Sequence, residues 1–334
     1  MSNKSGGQKN TVMLDDIAKA LNLSKSTVSR AMSGEGRIGS ETRRRVLEYI
    51  SEHNYRPNSI ARSLAKSKTN NIGVVLPAEA FSNEVPFFQN CLMGVCEAAS
   101  SMDYDVVVTS VKDNDISQLK RIVENRKVDG ILLTRALVAD SPADYLTETG
   151  TPFVVVGSTP DEKTFQVDPD HTAACCELTS RLLDEGGERV ALLMGDLGHT
   201  VNKSRYDGFL KAFADSGLKL NKKLIKTDLL GGQSVRDAVD AVVNGGARRI
   251  ICSDDFICQK AIMRLDELSK ETTDAITTAS FYNSDQLKSQ RRNVLVVDIN
   301  VKELGTRAGE NLIELIEKGE TERRTLLGYK ILTV

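Results

Sequence analysis

The sequence predicts an α/β protein that carries a small helical head at its amino end. At 334 residues the chain is longer than one typical core, so we expect two or three domains. Short amphipathic helical patterns fill the first sixty residues, and apolar, β-branched runs alternate with helical patterns from residue 71 onward. These observations indicate a three-helix head with a helix-turn-helix, followed by a core of two doubly wound parallel sheets.

Charge is unevenly divided along the chain. The formal net charge is -2, but residues 1–70 hold 13 Lys and Arg against 6 Asp and Glu, whereas residues 71–334 hold 31 against 40. A basic amino-terminal part is suited to a polyanion, although a basic segment can also be a solvated tail. The local sequence pattern decides between these two interpretations.

The first helix follows a polar leader at residues 1–10, which we expect to be disordered. In MLDDIAKAL the apolar residues recur at helical spacing, and two aspartates occupy the first turn, where the helix dipole favours negative charge. The helix ends at NLS, where Asn22 tolerates a left-handed turn and Ser24 is a favourable N-cap for the next helix.

The second helix, from Lys25 to Met32, begins after this three-residue turn. Its small apolar residues can face inward, which leaves on the other face Lys25, Ser26, Ser29 and Arg30. Two helices joined so tightly, with short hydroxyl groups and long cations exposed on the second, are typical of a helix-turn-helix. Hydroxyl groups can approach phosphates closely and Arg or Lys can reach guanine O6 and N7, so this helix is predicted to contact DNA.

A third helix is predicted from Gly39 or Ser40, one of which caps it, to about His53. Pro57 then starts a short helix, and the Ser, Lys, Thr and Asn residues after it indicate a linker. So short a helix is marginal alone and should form only when docked on a partner helix or on DNA. We therefore expect a helix-turn-helix domain at 11–57 and a hinge helix with its linker at 58–70.

The remainder of the chain, residues 71–334, has the pattern of an effector-binding and dimerisation core. Apolar runs from NNIGVVLP to NVLVVDIN each have about four to seven residues, and most are followed by a stretch of helical period. This alternation is typical of parallel strands connected by helices. Because ligands of open α/β sheets bind beyond the carboxyl ends of the strands, a cleft between two facing units is the expected ligand site.

The composition argues against several other classes of protein. Six scattered cysteines without a CxxC pair, and only three histidines, argue against a disulfide framework or a metal site, and no cofactor is expected. No apolar run approaches the length of a membrane span, and the leader lacks an apolar stretch behind its lysines, so we expect a cytoplasmic protein without a membrane partner. We find no GxxxxGKS loop, no GxGxxG after the first strand and no GxSxG, so no catalytic residues are predicted.

Three segments of the amino-terminal part, LDDIAKALNLSKSTVSRAM, ETRRRV and YRPNSIARSL, follow a known pattern. They closely resemble the lactose/galactose repressor (LacI/GalR) family of bacterial transcriptional regulators, and the likeness extends at lower density over nearly the whole chain. The resemblance implies that bases are read by Lys25, Ser26 and Arg30 and that phosphates are contacted by Thr27, Ser29 and Thr42. Two departures, Met13 in place of a capping threonine and Asn22 in place of a glycine, weaken local helix signals only.

The resemblance also implies a hinge helix that contains Asn58, Ala61 and Leu64. In the family the hinge leucine enters the minor groove and wedges apart a central base step. The alternative for Leu64 is a packing residue between two paired hinge helices.

For the core, the resemblance implies two lobes similar to periplasmic sugar-binding proteins, joined by three crossovers. We expect these crossovers near residues 157–168, 281–284 and 298–301. Lobe 1 would then hold about 71–157 and 301–320, and lobe 2 about 158–297 and 321–334. The last helix would return to lobe 1, and RRTLLGYKILTV would close the chain as one strand.

Candidate effector contacts also come from the resemblance. They are Phe87, Phe88, His171, Arg205 and Asp254. The alternatives are a surface or interlobe ion pair for Arg205 and Asp254, a core position for Phe88, and, as the favoured interpretation, a solvated helix end for His171. Other pocket positions depart from the family: SFYN replaces GFDD, Ser253 replaces an asparagine, and Ile299 stands where glutamine is frequent. These departures, and about four extra residues in AEAFSNEVPFF, indicate an effector other than the commonest hexoses.

The predicted function is that of a transcriptional regulator, most simply a repressor, associated with the nucleoid. A homodimer would bind a pseudo-palindromic double-stranded operator, and a sugar or sugar derivative between the lobes would control operator affinity. The chain ends without the leucine heptad through which some family members tetramerise, so a dimer is expected. A corepressor- or partner-protein-dependent regulator is the alternative of the same fold. A sugar-processing enzyme with a regulatory head and a solute-binding transport component are the alternatives from other classes.

Overall fold

We describe the protein from a computed structural model. It describes residues 13–34, 36–53, 55, 68–78, 86–112, 115–269, 273, 275–290 and 292–334. The chain divides into two compact units, Met1–Thr69 and Asn70–Val334.

The amino-terminal unit contains three short helices. These are α1 (Leu14–Ala20), α2 (Lys25–Ser33) and α3 (Ser40–Glu52). Their shared core is formed by Ile17, Ala18, Val28, Ala31 and Val46, all buried. Asn22, in the turn between α1 and α2, has a φ of 54°, in the left-handed region that Asn tolerates better than most residues. The predicted helices and the predicted left-handed turn are therefore confirmed.

The first sheet of the larger unit has six parallel strands. In chain order they are β1 (Asn71–Pro77), β2 (Asp105–Val111), β3 (Gly130–Leu133), β4 (Phe153–Val156), β5 (Phe165–Asp168) and β11 (Arg324–Leu326). Their spatial order is β11-β5-β4-β3-β1-β2. The helices associated with this sheet are α4 (Pro86–Ser101), α5 (Ser117–Glu124), α6 (Ser141–Thr149) and α12 (Val301–Lys318). This sheet and its helices form lobe 1.

The second sheet also has six strands, of which one is antiparallel. It contains β6 (Val190–Leu193), β7 (Ile225–Lys226), β8 (Arg249–Cys252), β9 (Thr277–Ser280), β10 (Val294–Ile299) and β12 (Tyr329–Thr333). Their order is β12-β10-β9-β8-β6-β7, and β12 runs antiparallel to β10. Its helices are α7 (His171–Gly186), α8 (Thr200–Ser216), α9 (Gly232–Asn244), α10 (Asp255–Glu267) and α11 (Asp285–Lys288). Together they form lobe 2, and the predicted fold class is confirmed.

Several expected boundaries within the core are wrong. Strand β5, inside the expected crossover 157–168, pairs with β4 in lobe 1. Residues 281–284 are no crossover, because the chain passes from β9 through α11 to β10 of the same sheet. The chain passes between the lobes three times. The first crossover follows β5, the second follows β10, and the third is at residues 327–328, between β11 and β12. The closing segment is thus two strands in different lobes.

These errors have a physical cause. The link between β4 and β5 contains no helix, although parallel neighbours are usually joined through one. FQVD is short, and only two of its four residues are apolar, so it lacks the continuous apolar run that marks a buried parallel strand. The residue pattern of this segment therefore predicts a crossover where the structure has strand β5.

Helices α4 and α12 approach each other so closely that glycine is required. A Cβ atom at Gly305 would lie 2.0 Å from the main-chain oxygen of Cys91, and one at Gly94 would lie 2.0 Å from that of Lys302. The interface fixes the return of α12 to lobe 1, which was predicted. Among the described helices none combines the length and the apolar composition that a bilayer span requires.

Candidate functional site

Helix α2 presents the predicted DNA-reading side chains on one exposed face. Ser24 caps the helix, because its Oγ accepts from the Thr27 main-chain N–H at 3.0 Å and lies 2.8 Å from the Thr27 Oγ1. Thr27 is half-buried, whereas the exposed residues of this segment include Lys25, Ser26, Ser29 and Arg30. The cap therefore fixes where α2 begins and which side chains its open face carries.

Lys25 is held by a contact within the amino-terminal unit. Its Nζ lies 2.8 Å from Asp15 Oδ2, and the side chains are 63% and 45% exposed. Hydrogen bonding from Lys25 lowers the pKa of the Asp15 carboxyl. So exposed a pair contributes little to stability, and a phosphate or a base edge can compete for the lysine. Thr42 is half-buried in the first turn of α3.

The hinge residues Asn58, Ala61 and Leu64 lie outside the described residues. The predicted wedge leucine and its packing alternative both stay predictions.

A cleft of about 440 Å³ separates the two lobes. The five residues proposed as effector contacts all line it: Phe87, Phe88, His171, Arg205 and Asp254. The lining residues follow the carboxyl ends of strands in both sheets, as expected for a ligand site in open α/β folds. Phe87 and Asp254, which are 167 residues apart in the sequence, are brought together there.

Arg205 and Asp254 each form a hydrogen bond with Ser253, and no hydrogen bond is found between these two described residues. Arg205 is 7% exposed, and its Nη1 donates to the Ser253 carbonyl oxygen at 2.7 Å. Asp254 caps α10, because its Oδ1 accepts from the Ile257 N–H at 2.8 Å, and its Oδ2 accepts from the Ser253 Oγ at 2.8 Å. Within the described part of the chain the Arg205 Nε has no partner. Neither residue is within 4.0 Å of an oppositely charged group among the described side chains. Burial raises the pKa of Asp168 in the other lobe, however, and the charge of Arg205 helps to oppose this rise, so the interlobe alternative stays open for Arg205.

His171 is buried, so its interpretation as a solvated helix end is wrong. It is 6% exposed at the start of α7, and its Nε2 lies 3.6 Å from Asp168 Oδ1. Burial, aided by the positive charge of Arg205, holds the pKa of His171 well below its ordinary value, and the ring is neutral near pH 7. The Nδ1 has no hydrogen-bond partner among the described groups.

The aromatic residues of the cleft form a connected group. The Phe87 and Phe88 ring centroids are 5.3 Å apart, and those of Phe87 and Tyr282 are 6.0 Å apart, both edge to face. Phe88 is 7% exposed and belongs to the lobe 1 core while it also lines the cleft. The Arg135 guanidinium carbon lies 5.6 Å from the Phe88 ring centroid. Core packing and ligand contact are therefore not exclusive for Phe88.

Sequence reasoning missed three buried polar residues of the cleft wall. These are Asp168 at the end of β5, Asp255 at the start of α10 and Tyr282 after β9, at 1%, 4% and 7% exposure. Burial raises the pKa of both carboxyl groups. One oxygen of each, Asp168 Oδ1 and Asp255 Oδ2, makes no hydrogen bond within the described residues. All three lie at or shortly after the carboxyl end of a strand, and that position was the available signal.

Buried polar groups without partners are rare in folded proteins. Four of the nine such atoms in the described part of the chain belong to residues that line the cleft, namely Asp168, His171, Arg205 and Asp255. The arrangement offers acceptors and donors to a polar ligand, and the aromatic group offers it an apolar face. Among the described residues no group of three or more His, Cys, Asp or Glu is arranged to bind a metal ion.

Comparison with protein families divides the chain as the structure does. Residues 13–58 match the family described as bacterial regulatory proteins, lacI family. Residues 69–329 match the family described as periplasmic binding proteins and sugar binding domain of LacI family.

Individual relatives resemble the chain over nearly its whole length. The HTH-type transcriptional repressor PurR of Pasteurella multocida is 26% identical over 320 residues, which cover 94% of each chain. The lac repressor dimer bound to operator and an anti-inducer has a TM-score of 0.79 at 19% identity, with 97% and 98% of the two chains covered. The CelR–cellobiose complex has a TM-score of 0.72 at 21% identity, with 96% and 98% covered. The chain belongs to the LacI family of bacterial regulatory proteins, which are DNA-binding transcriptional regulators with a sugar-binding domain.

Proposed function

We propose that this protein is a homodimeric repressor that reads a pseudo-palindromic operator with helix α2 and releases it when a sugar-like effector enters the cleft between its lobes. The observation that carries the proposal is that four residues lining one cleft each hold a buried polar atom without a partner among the described residues, in a chain that also exposes a helix-turn-helix face. We propose a regulatory rather than an enzymatic role, exercised in the cytoplasm at the nucleoid.

The DNA-binding part of the proposal rests on the exposed face of α2. Lys25, Ser26 and Arg30 would contact base edges in the major groove, while Thr27, Ser29 and Thr42 would contact phosphates. Two copies of so small a head on one duplex would double the contact area, which favours a two-fold operator. The excess of cations in residues 1–70 would make the affinity fall steeply with salt.

The effector part of the proposal rests on the cleft. Arg205 has an unpartnered Nε toward a bound hydroxyl or carboxylate, and Asp168 has an unpartnered oxygen toward a donor. Phe87 and Phe88 would stack on the apolar face of a sugar ring. His171 and Asp254 would form hydrogen bonds with the hydroxyl groups at the edge of that ring. The similar CelR structure is a complex with cellobiose, a carbohydrate, and we propose a carbohydrate-like ligand here as well.

Coupling between the sites would follow from lobe movement. A ligand that contacts both sheets changes the angle between the lobes, and the hinge segment 58–70, marginal as a helix, would respond by forming or melting. Coupling of this kind typically amounts to about 1–3 kcal/mol, or about 5–150-fold in operator affinity.

The test is a two-stage binding experiment. Full-length protein first selects duplexes from a randomised library, and fluorescence anisotropy then measures its affinity for the selected duplex and for random fragments. Sugars, sugar phosphates and sugar acids are screened by thermal shift, since a ligand that binds only the native state raises the melting temperature. A hit should weaken binding to the selected duplex. A hit that tightens it makes the ligand a corepressor, and failure to select any duplex contradicts the proposal.

A further inference from the structure

Asp255 is a buried carboxylate in the cleft wall that no other described group neutralises. It is the first residue of α10 and is 4% exposed, yet its Oδ2 has no hydrogen-bond partner among the described residues. Asp254, its neighbour, already accepts one hydrogen bond at each oxygen, from the Ile257 N–H and from the Ser253 hydroxyl. An ionised carboxylate in such a position is costly unless it is paired.

The charges that line the cleft do not balance. Four carboxylates line it, Asp168, Asp196, Asp254 and Asp255, against two guanidinium groups, Arg135 and Arg205. Burial keeps His171 neutral.

The two guanidinium groups are directed to other partners. Arg205 donates to the Ser253 carbonyl. Burial raises the pKa of Asp168, and the Ser158 hydroxyl, Arg324 and Arg205 lower it. Arg135 lies over the Phe88 ring. At Asp255 burial raises the pKa, and Asp254 raises it further. The groups that oppose this are neutral dipoles, the Ser284 hydroxyl and the first N–H groups of α10.

An aromatic ring stands beside this carboxylate. Tyr282 is 7% exposed and occupies the position of the first aspartate in the GFDD pattern, which this chain replaces with SFYN. Its ring continues the group formed by Phe87 and Phe88. Aromatic faces next to carboxylates attract ligand cations. A ring therefore stands at a pocket position where the family pattern has a carboxylate, while this chain has a buried carboxylate at Asp255.

We propose that the effector carries a protonated amine, as an amino sugar or an amino polyol does, and that this amine pairs with Asp255 beside the Tyr282 ring. A hydroxyl group would fill the hydrogen bond of Oδ2 but would leave the negative charge in place, whereas an ammonium group satisfies both. This inference rests on the proposed effector function of the cleft and specifies its ligand class.

The experiment compares matched ligands on the full-length protein. Glucosamine, galactosamine, mannosamine and amine-bearing disaccharides are each measured beside the parent sugar, its N-acetyl derivative and the corresponding sugar acid. Thermal shift and titration calorimetry at pH 7 report binding. We expect at least one amine to bind at least about tenfold more tightly than its parent and its N-acetyl derivative, because only the amine makes a charge-assisted pair.

Two substitutions locate the effect. Asp255→Asn keeps the shape of the side chain and should weaken amine binding by about tenfold or more while it changes the affinity of neutral sugars little. Asp207→Asn is the matched control, since Asp207 on α8 belongs to the same lobe but lies outside the cleft lining, is 47% exposed and pairs with Lys203. It removes the same charge and should leave the preference for the amine intact. Raising the pH through the pKa of the amine should abolish that preference in the parent protein.

The possible failures are distinguishable. If a neutral or acidic sugar stabilises the core at least as well as its amine and shifts operator affinity, the effector function stands and the amine inference is overturned. If Asp255→Asn leaves amine binding unchanged, the inference is likewise overturned. If no ligand of any charge stabilises the core while a selected duplex is still bound, the amine inference and the effector part of the proposed function both fail.

Discussion

The Nη1 of Arg205, on α8, donates to the main-chain carbonyl of Ser253 at 2.7 Å and so joins the helix to the end of β8. Arg205 is 7% exposed and lines the cleft, and its Nε has no partner in the described residues. One side chain therefore supports the second lobe and, in the proposed function, would also donate to a ligand. This double role makes its removal costly in two measurable ways.

Arg205→Ala should lower the free energy of unfolding by about 1–3 kcal/mol, because the Ser253 carbonyl loses a charged donor in a buried position. The same variant should lose the thermal stabilisation that the effector gives to the parent protein. Arg181→Ala is the matched control. Its guanidinium is 50% exposed and pairs with Glu177 one helical turn away, so its removal should change stability by no more than about 0.5 kcal/mol. Urea titration measures both variants, and equal effects would contradict the assignment.

Gly305→Ala should destabilise the core severely. The new Cβ would meet the main-chain oxygen of Cys91 at 2.0 Å, and backbone cannot yield as a flexible side chain does, so α4 and α12 must separate. Overpacking of this kind costs about 1–3 kcal/mol or more. Gly232→Ala, at the start of α9, meets no atom within 4 Å and should be neutral or slightly stabilising. Melting temperatures of the two variants decide the matter, and a stable Gly305→Ala protein would show that the helices separate easily.

His171 should make the protein less stable in acid. Its pKa in the folded protein lies well below the ordinary 6.5, so below about pH 6.5 the unfolded chain binds a proton that the folded chain does not, and stability falls as pH falls. His171→Gln should therefore lose less stability than the parent between pH 7.5 and about pH 5. The raised pKa of Asp168 acts in the opposite direction, but it is present in both proteins. Parallel pH profiles of the free energy of unfolding would show that His171 does not titrate in this way.

The sequence predicted most elements because their causes are local. The α1–α2 turn followed from Asn22 and Ser24, and the continuous apolar runs marked the buried strands such as β1. Strand β5 and the crossovers around it were misassigned because β5 is defined by its pairing with β4 and β11, which no local pattern contains. Long-range pairing, rather than propensity, fixes such an element.

The cleft was predicted only in part for the same reason. Arg205 and Asp254 could be transferred from the family pattern, but Asp168 and Asp255 owe their chemistry to burial, which the sequence does not display. His171 shows the limit most clearly. Its place at a helix start suggested solvent, whereas the approach of Asp168 and the packing of α7 bury it.

The central claim is that the exposed face of α2 reads DNA, and Arg30→Ala tests it most directly. On a duplex selected by the parent protein, this variant should bind about 5–150-fold more weakly and discriminate less between bases at one position in each half-site, as expected for the loss of a base contact worth about 1–3 kcal/mol. Arg44→Ala is the matched control, because Arg44 on α3 carries the same charge, is 60% exposed and pairs with Glu41 and Glu48. It should keep both affinity and base preference nearly unchanged. If Arg30→Ala binds the selected duplex as tightly and as selectively as Arg44→Ala does, α2 is not the reading helix and the account is wrong.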